Sequence, residues 1–117
     1  MSAPSKSMKI AALNDAFRSL PSLSGISGTV FVTSGINALS EKSRVEVTEA
    51  VMNFHDFNCD NDPYGEHDFG VIDHPIAGKV FWKIDYYADD KCQFGSEYPE
   101  DPKRSFRVLT IMLASEY

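Results

Sequence analysis

The sequence predicts an α+β fold: helices packed on one face of a largely antiparallel sheet, in the order α-β-α-β-β-β. Three observations carry that expectation. Apolar residues recur at helical spacing near the start of the chain. They alternate strictly over 80–87, where Val80, Trp82, Ile84 and Tyr86 fall on one side and Phe81, Lys83, Asp85 and Tyr87 on the other. No internal repeat of strand–helix units is present to build a parallel sheet. The 117 residues, 43% of them hydrophobic, are enough for a single domain spanning 1–117 with its own core.

Each element follows from local chemistry. Residues 1–6 are mostly small and polar and are expected to fray. From about Ser7, Ile10, Leu13, Phe17 and Leu20 form one helical stripe that ends before Pro21. Residues 21–28, Pro-Ser-Leu-Ser-Gly-Ile-Ser-Gly, are rich in turn-formers and read as a connection. Residues 29–33, Thr-Val-Phe-Val-Thr, read as a strand because β-branched and aromatic residues dominate. A second helix should start near Ser40, capped by Ser40 or by Ser43, with Ser43 and Glu46 spaced as a capping box. Its inner face would carry Val47, Val51 and Phe54, with Phe57 at the exit. Residues 58–66 lack any period and form a loop. Strands are expected at 69–72 and 80–87, joined by a turn over 73–78. Residues 88–105 form a long polar segment, a length usually reserved for function or disorder. Residues 106–114 are apolar on both faces; Val108, Thr110 and Ile111 favour a central strand over a buried helix.

Charge excludes some functions. Seventeen acids against eleven bases give a formal charge of −6. The span 56–101 alone holds twelve acids and three lysines, leaving the rest of the chain net positive. Such a surface repels phosphate backbones, so direct nucleic-acid binding is not expected; a protein partner with a basic surface is. A solvated acidic face that only keeps the protein soluble is the plainer alternative. No apolar run approaches the ~20 residues that span a bilayer, and no secretory signal is expected, which together imply a cytoplasmic protein with Cys59 and Cys92 reduced.

The segment 56–70 concentrates the chemistry: five carboxylates, His67, and the loop-formers Pro63, Gly65 and Gly70 in fifteen residues. An EF-hand starting at Asp60 fails at its twelfth position, where Val71 stands in place of the bidentate Glu. His55, His67 and His74 show no His-x-x-x-His spacing, and the cysteines form no Cys-x-x-Cys pair. Nucleotide-phosphate loops and a Gly-x-Ser-x-Gly elbow are missing as well. Two readings remain. In one, Glu66, His67 and Asp85 are acid/base candidates, and Asp62, His67 and Asp68 the metal ligands of a small metal-binding protein or metal-dependent enzyme. In the other, His67 and Asp68 only hydrogen-bond their own loop, no cofactor is bound, and function lies in protein contact. Asp60, Asp62, Tyr64, Glu66, Asp68, Asp89 and Asp90 would then meet the partner, with Phe81, Lys83, Asp85 and Tyr87 on the free strand face. A homodimer through a strand edge or that aromatic face is also open.

Four blocks carry a family resemblance: Leu13-Asn14-Asp15-Ala16-Phe17-Arg18, the run from Asp60 to Gly70 (Asp-Asn-Asp-Pro-Tyr-Gly-Glu-His-Asp-Phe-Gly), the strand from Val80 to Tyr87, and the segment from Arg107 to Ala114. Together they resemble an uncharacterised, domain-of-unknown-function family of small proteobacterial proteins, often borne on plasmids and other mobile elements. The resemblance implies a bacterial cytoplasm and a mobile-element setting, and no activity. In that setting small acidic proteins often act on host machinery, so an inhibitor of a nucleic-acid-handling or defence complex, CRISPR or restriction, is the expectation it adds.

Overall fold

The computed structural model describes residues 4–117, so the first half of the expected frayed stretch, 1–3, lies outside them. Among the described residues, the chain forms α1 (Lys6–Ser19), β1 (Gly28–Val32), α2 (Ser34–Asn37), α3 (Glu41–Met52), β2 (Phe69–His74), β3 (Gly78–Tyr87) and β4 (Phe106–Leu113), then a 3₁₀ turn over Ala114–Glu116. Fraying does not reach residues 5 and 6. The Ser5 hydroxyl accepts from the Met8 N–H and caps a helix that begins at Lys6.

The four strands form one sheet in the order β1-β4-β3-β2. The β2–β3 and β3–β4 pairs are antiparallel, and β1 pairs parallel with β4, Gly28 opposite Arg107 and Val32 opposite Ile111. The 106–114 segment is thus the expected strand, and it is central. The alternation over 80–87 also holds: Val80, Trp82 and Ile84 are buried and meet Leu109 and Ile111, while Phe17 of α1 and Val47 and Val51 of α3 close the core above them.

Other expectations are corrected. Leu20 is exposed, and the buried stripe of α1 runs through Ile10, Asn14, Phe17 and Arg18, two of them polar. Ser40, not Ser43, caps α3; Ser43 sits inside the first turn, buried, with its N–H donated to the Ser40 hydroxyl. The short α2 was not expected, since one turn of helix is too brief to show a period.

The opposite sheet face, with Phe31, Phe69, Phe81, Lys83, Asp85, Val108 and Thr110, has no α-helix over it among the described residues. Among the described residues the C-terminal segment reaches across part of it, and Tyr117 packs edge-on to Phe69 and Phe81.

Candidate functional site

The last two turns of α1, the exit of α3 and the 56–68 loop meet around Arg18, which is 2% exposed. A helix leaves its last carbonyls without intrahelical donors. Arg18 supplies one there and one just beyond: Nη1 donates to the carbonyl of Val51 in the last turn of α3 and to that of Phe54, two residues past its end, each at 2.9 Å. Its cationic plane lies 4.8 Å from the Trp82 ring and 5.6 Å from that of Phe57, and Nη2 donates to Asp15 at 2.9 Å. Burial lowers the Arg18 pKa and Asp15 opposes the shift, so the guanidinium stays charged.

Asp15 also accepts from His67. Nδ1 lies 2.9 and 3.0 Å from its two carboxylate oxygens, which assigns the proton to that nitrogen. The His67 ring stacks on Phe57, centroids 4.0 Å apart and planes 2° from parallel. The backbone of His67 is left-handed, with φ 56°, and its N–H donates to Asp62 Oδ1 at 3.2 Å. Asp62 Oδ2 stands 3.6 Å from Nε2, too far for a hydrogen bond. An open cleft of ≈ 390 Å³ borders this cluster, walled by Asp15, Arg18, Phe54, Phe57 and His67.

A second set of buried polar groups lies alongside. Arg107 of β4 donates Nε to the Asn14 side-chain oxygen at 2.7 Å, Nη1 to the Ser105 hydroxyl at 2.9 Å and Nη2 to the Pro99 carbonyl at 2.6 Å. Asn14 in turn donates to the Glu66 carbonyl at 2.9 Å and to the Tyr86 hydroxyl at 2.8 Å, and that hydroxyl donates to Glu66 Oε1 at 3.0 Å. Burial pushes the Tyr86 phenol up, which keeps it a neutral donor, and lowers Arg107. Nearby Asp68 is raised, first by burial and then by the Glu66 carboxylate. The result couples two loops: 56–68 through Glu66, and 88–105 through Pro99 and Ser105.

Register places both loops at one end of the sheet. β2 starts at Phe69 opposite Lys83, so the loop before it runs back past Tyr86, while 88–105 leaves β3 just beyond Tyr87. In 56–68 there are five acids and no lysine or arginine; in 88–101 there are five acids and Lys91. Each loop also displays a bare aromatic ring, Tyr64 at 81% and Phe94 at 75% exposed.

The structure separates the other candidates. Asp60, Asp89 and Asp90 are exposed at the acidic end. Lys83 and Asp85 pair with each other at 3.0 Å on the bare face, with Phe81 and Tyr87 on the same side. Asp85 is therefore not brought to His67, which lies on the helical side. Nor does His67 bond only its own loop, because its ring partner is Asp15, fifty-two positions earlier. Among the described residues no group of three His, Cys, Asp or Glu side chains is placed to hold a metal, and no helix is long and apolar enough to cross a membrane. Asn14, Asp15, Arg18 and Arg107 fall within the blocks that carry the resemblance but were not read as site residues, and Phe94 was not singled out from sequence at all. For two of them a signal existed: Asn14 sits at i+4 from Ile10 and three before Phe17, inside an apolar stripe, and Arg107 opens an apolar strand.

These features define a small α+β domain with an acidic, aromatic-bearing end and an internal polar network. Residues 32–116 match the model of the family DUF3768, described as a protein of unknown function, and the chain belongs to that family. No curated protein and no solved structure matches it.

Proposed function

We propose that the protein is a protein-binding module whose acidic end docks on a basic surface of its partner. One observation carries the reading: two acidic loops, held side by side by the Arg107–Asn14–Tyr86–Glu66 network, each present an exposed aromatic, Tyr64 and Phe94. Aromatics buried at the centre of an interface supply most of its affinity, and surrounding charge supplies encounter rate and orientation. A basic groove built to hold nucleic acid fits both properties, so a nucleic-acid-handling complex of a bacterial host, including a CRISPR or restriction defence complex, is the partner class we favour. A mobile-element origin and a cytoplasmic location belong to the same reading.

The test is capture of host proteins by the tagged chain across a salt series, with Tyr64→Ala and Phe94→Ala as probes. The reading requires a partner whose association rate falls steeply with salt and whose retention is lost in both variants. A partner held equally at low and high salt, or indifferent to both substitutions, would sink it.

A second reading rests on the Asp15–His67 pair beside the cleft, because a carboxylate on Nδ1 is how an acid/base imidazole is oriented. It keeps a metal-binding protein or enzyme of the Asp62, Glu66, His67, Asp68 loop in view. Elemental analysis of protein purified without chelator checks the metal form of it: one metal per chain, lost in His67→Ala with folding intact, would replace the binding module as the leading function.

A further inference from the structure

Among the described residues, β1 has a single strand neighbour, β4, and past Gly28, which packs under Phe17, little else covers it. Val30, Phe31 and Val32 are 41%, 57% and 38% exposed, although successive strand residues point to opposite faces. The helical layer therefore stops short of Val30 to Val32, the bare face continues across them, and among the described residues the outer edge has no neighbouring strand. Edge strands usually carry a charge, a proline or a bulge that discourages pairing. The other edge, β2, follows that rule, with Asp73 bonded to Lys79 and His74 bonded to Glu46 of α3. In β1 and its exit, Thr29-Val30-Phe31-Val32-Thr33, no such residue exists.

The same five residues read identically in both directions. From this symmetry and exposure we propose that β1 pairs antiparallel with β1 of a second copy of this chain, on a two-fold axis at Phe31. In that register Phe31 faces Phe31, each Val30 faces a Val32, and each Thr29 faces a Thr33, so β-branched and aromatic residues meet their own kind across the axis. The backbone is phased for it. The Thr33 N–H and the Ser27 carbonyl bond to β4, and residues of a parallel strand alternate in the direction of their polar groups. Val30 and Val32 thus turn N–H and C=O to the free edge, where the two-fold register lets them bond one another reciprocally. Charge favours the same arrangement: antiparallel copies carry their acidic ends at opposite ends of the joined sheet, whereas parallel copies would set them together.

Light scattering coupled to size exclusion, from low to high micromolar concentration, should give a species of twice the chain mass. Val30→Pro deletes a free-edge N–H without touching the β4 ladder, and Val32→Lys places a charge on the edge. Both should return the mass to that of one chain while circular dichroism stays unchanged. Independently of how those variants fold, Phe31→Cys with Cys59→Ser and Cys92→Ser should oxidise to a covalent dimer, since residues facing across a non-hydrogen-bonded antiparallel pair lie within disulfide reach. Val71→Cys, on the other edge strand, should not. A single-chain mass at every concentration, a dimer that persists in folded Val30→Pro and Val32→Lys, or no cross-link through residue 31 would overturn the proposal.

Discussion

Arg107 and Asn14 lie ninety-three positions apart in sequence and are joined by a 2.7 Å hydrogen bond inside the protein. All three polar hydrogens and lone pairs that matter at Asn14 are engaged: its oxygen by Arg107, its two N–H groups by Glu66 and Tyr86. Removing this side chain leaves a buried guanidinium N–H and a carbonyl without partners. Asn14→Ala should cost about 2–4 kcal/mol in chemical denaturation. Because one residue ties down both acidic loops, hydrogen exchange should accelerate in 62–68 and in 97–101 together. Acceleration in one loop alone would contradict the coupling.

Arg18 offers a cleaner separation of charge from shape. Arg18→Met keeps much of the packing on Trp82 but strands the Phe54 carbonyl and leaves that of Val51 only a 3.3 Å bond from the Phe54 N–H, and should destabilise by about 3 kcal/mol. Arg18→Lys keeps the charge and loses the planar fork, so it should recover only part of that loss. A full recovery in lysine would mean that charge alone, not the two-carbonyl geometry, holds the end of α3.

The raised Asp68 gives a pH dependence with a definite sign. A carboxyl that holds its proton more tightly folded than unfolded makes stability fall as pH climbs from its ordinary 3.8 through the raised folded value. The whole cost then stands at neutral pH. Asp68→Asn should therefore melt higher than the wild type at neutral pH, with the advantage shrinking to nothing as both are acidified below that ordinary value. An advantage that grew on acidification would show that the carboxylate, not the carboxylic acid, is the favoured form.

Gly70 is set by close approach. A Cβ there would fall on the Trp82 indole, 2.6 Å from Cε2. Gly70→Ala should cost about 1–3 kcal/mol through overpacking, visible as a lower denaturation midpoint with an altered tryptophan emission. Gly65, which has open space and a positive φ, should suffer from Gly65→Ala through backbone strain with no change in emission.

The parts of the fold legible in sequence were those with a local period. Alternation over 80–87 marked both faces of β3, and β-branched residues marked β4. The β1–β4 pairing had no such mark, because parallel strands seventy-nine positions apart share no turn. The site suffered from the same blindness. His67 and Asp62 drew notice as a dense loop, yet the residue that orients the imidazole, Asp15, and the one that anchors the cluster, Arg18, look in one dimension like the polar side of an amphipathic helix. Their burial is decided by α3 ending above them, which only the assembled fold contains. The aromatic Phe94 was passed over inside a polar stretch, where one ring gives no pattern to read.

The central position of β4 has a consequence for how the domain is assembled. One neighbour, β1, is the first strand of the chain and the other, β3, the strand just before it, and no other strand of the sheet follows it. The β2–β3 hairpin can close on local contacts alone, but β1 has nowhere to dock until residues 107–111 are present. Vectorial synthesis therefore leaves an early-made, uncharged and largely apolar strand waiting for its ladder, and loop closure over that distance slows the final step. During that interval β1 is the segment most open to a chaperone.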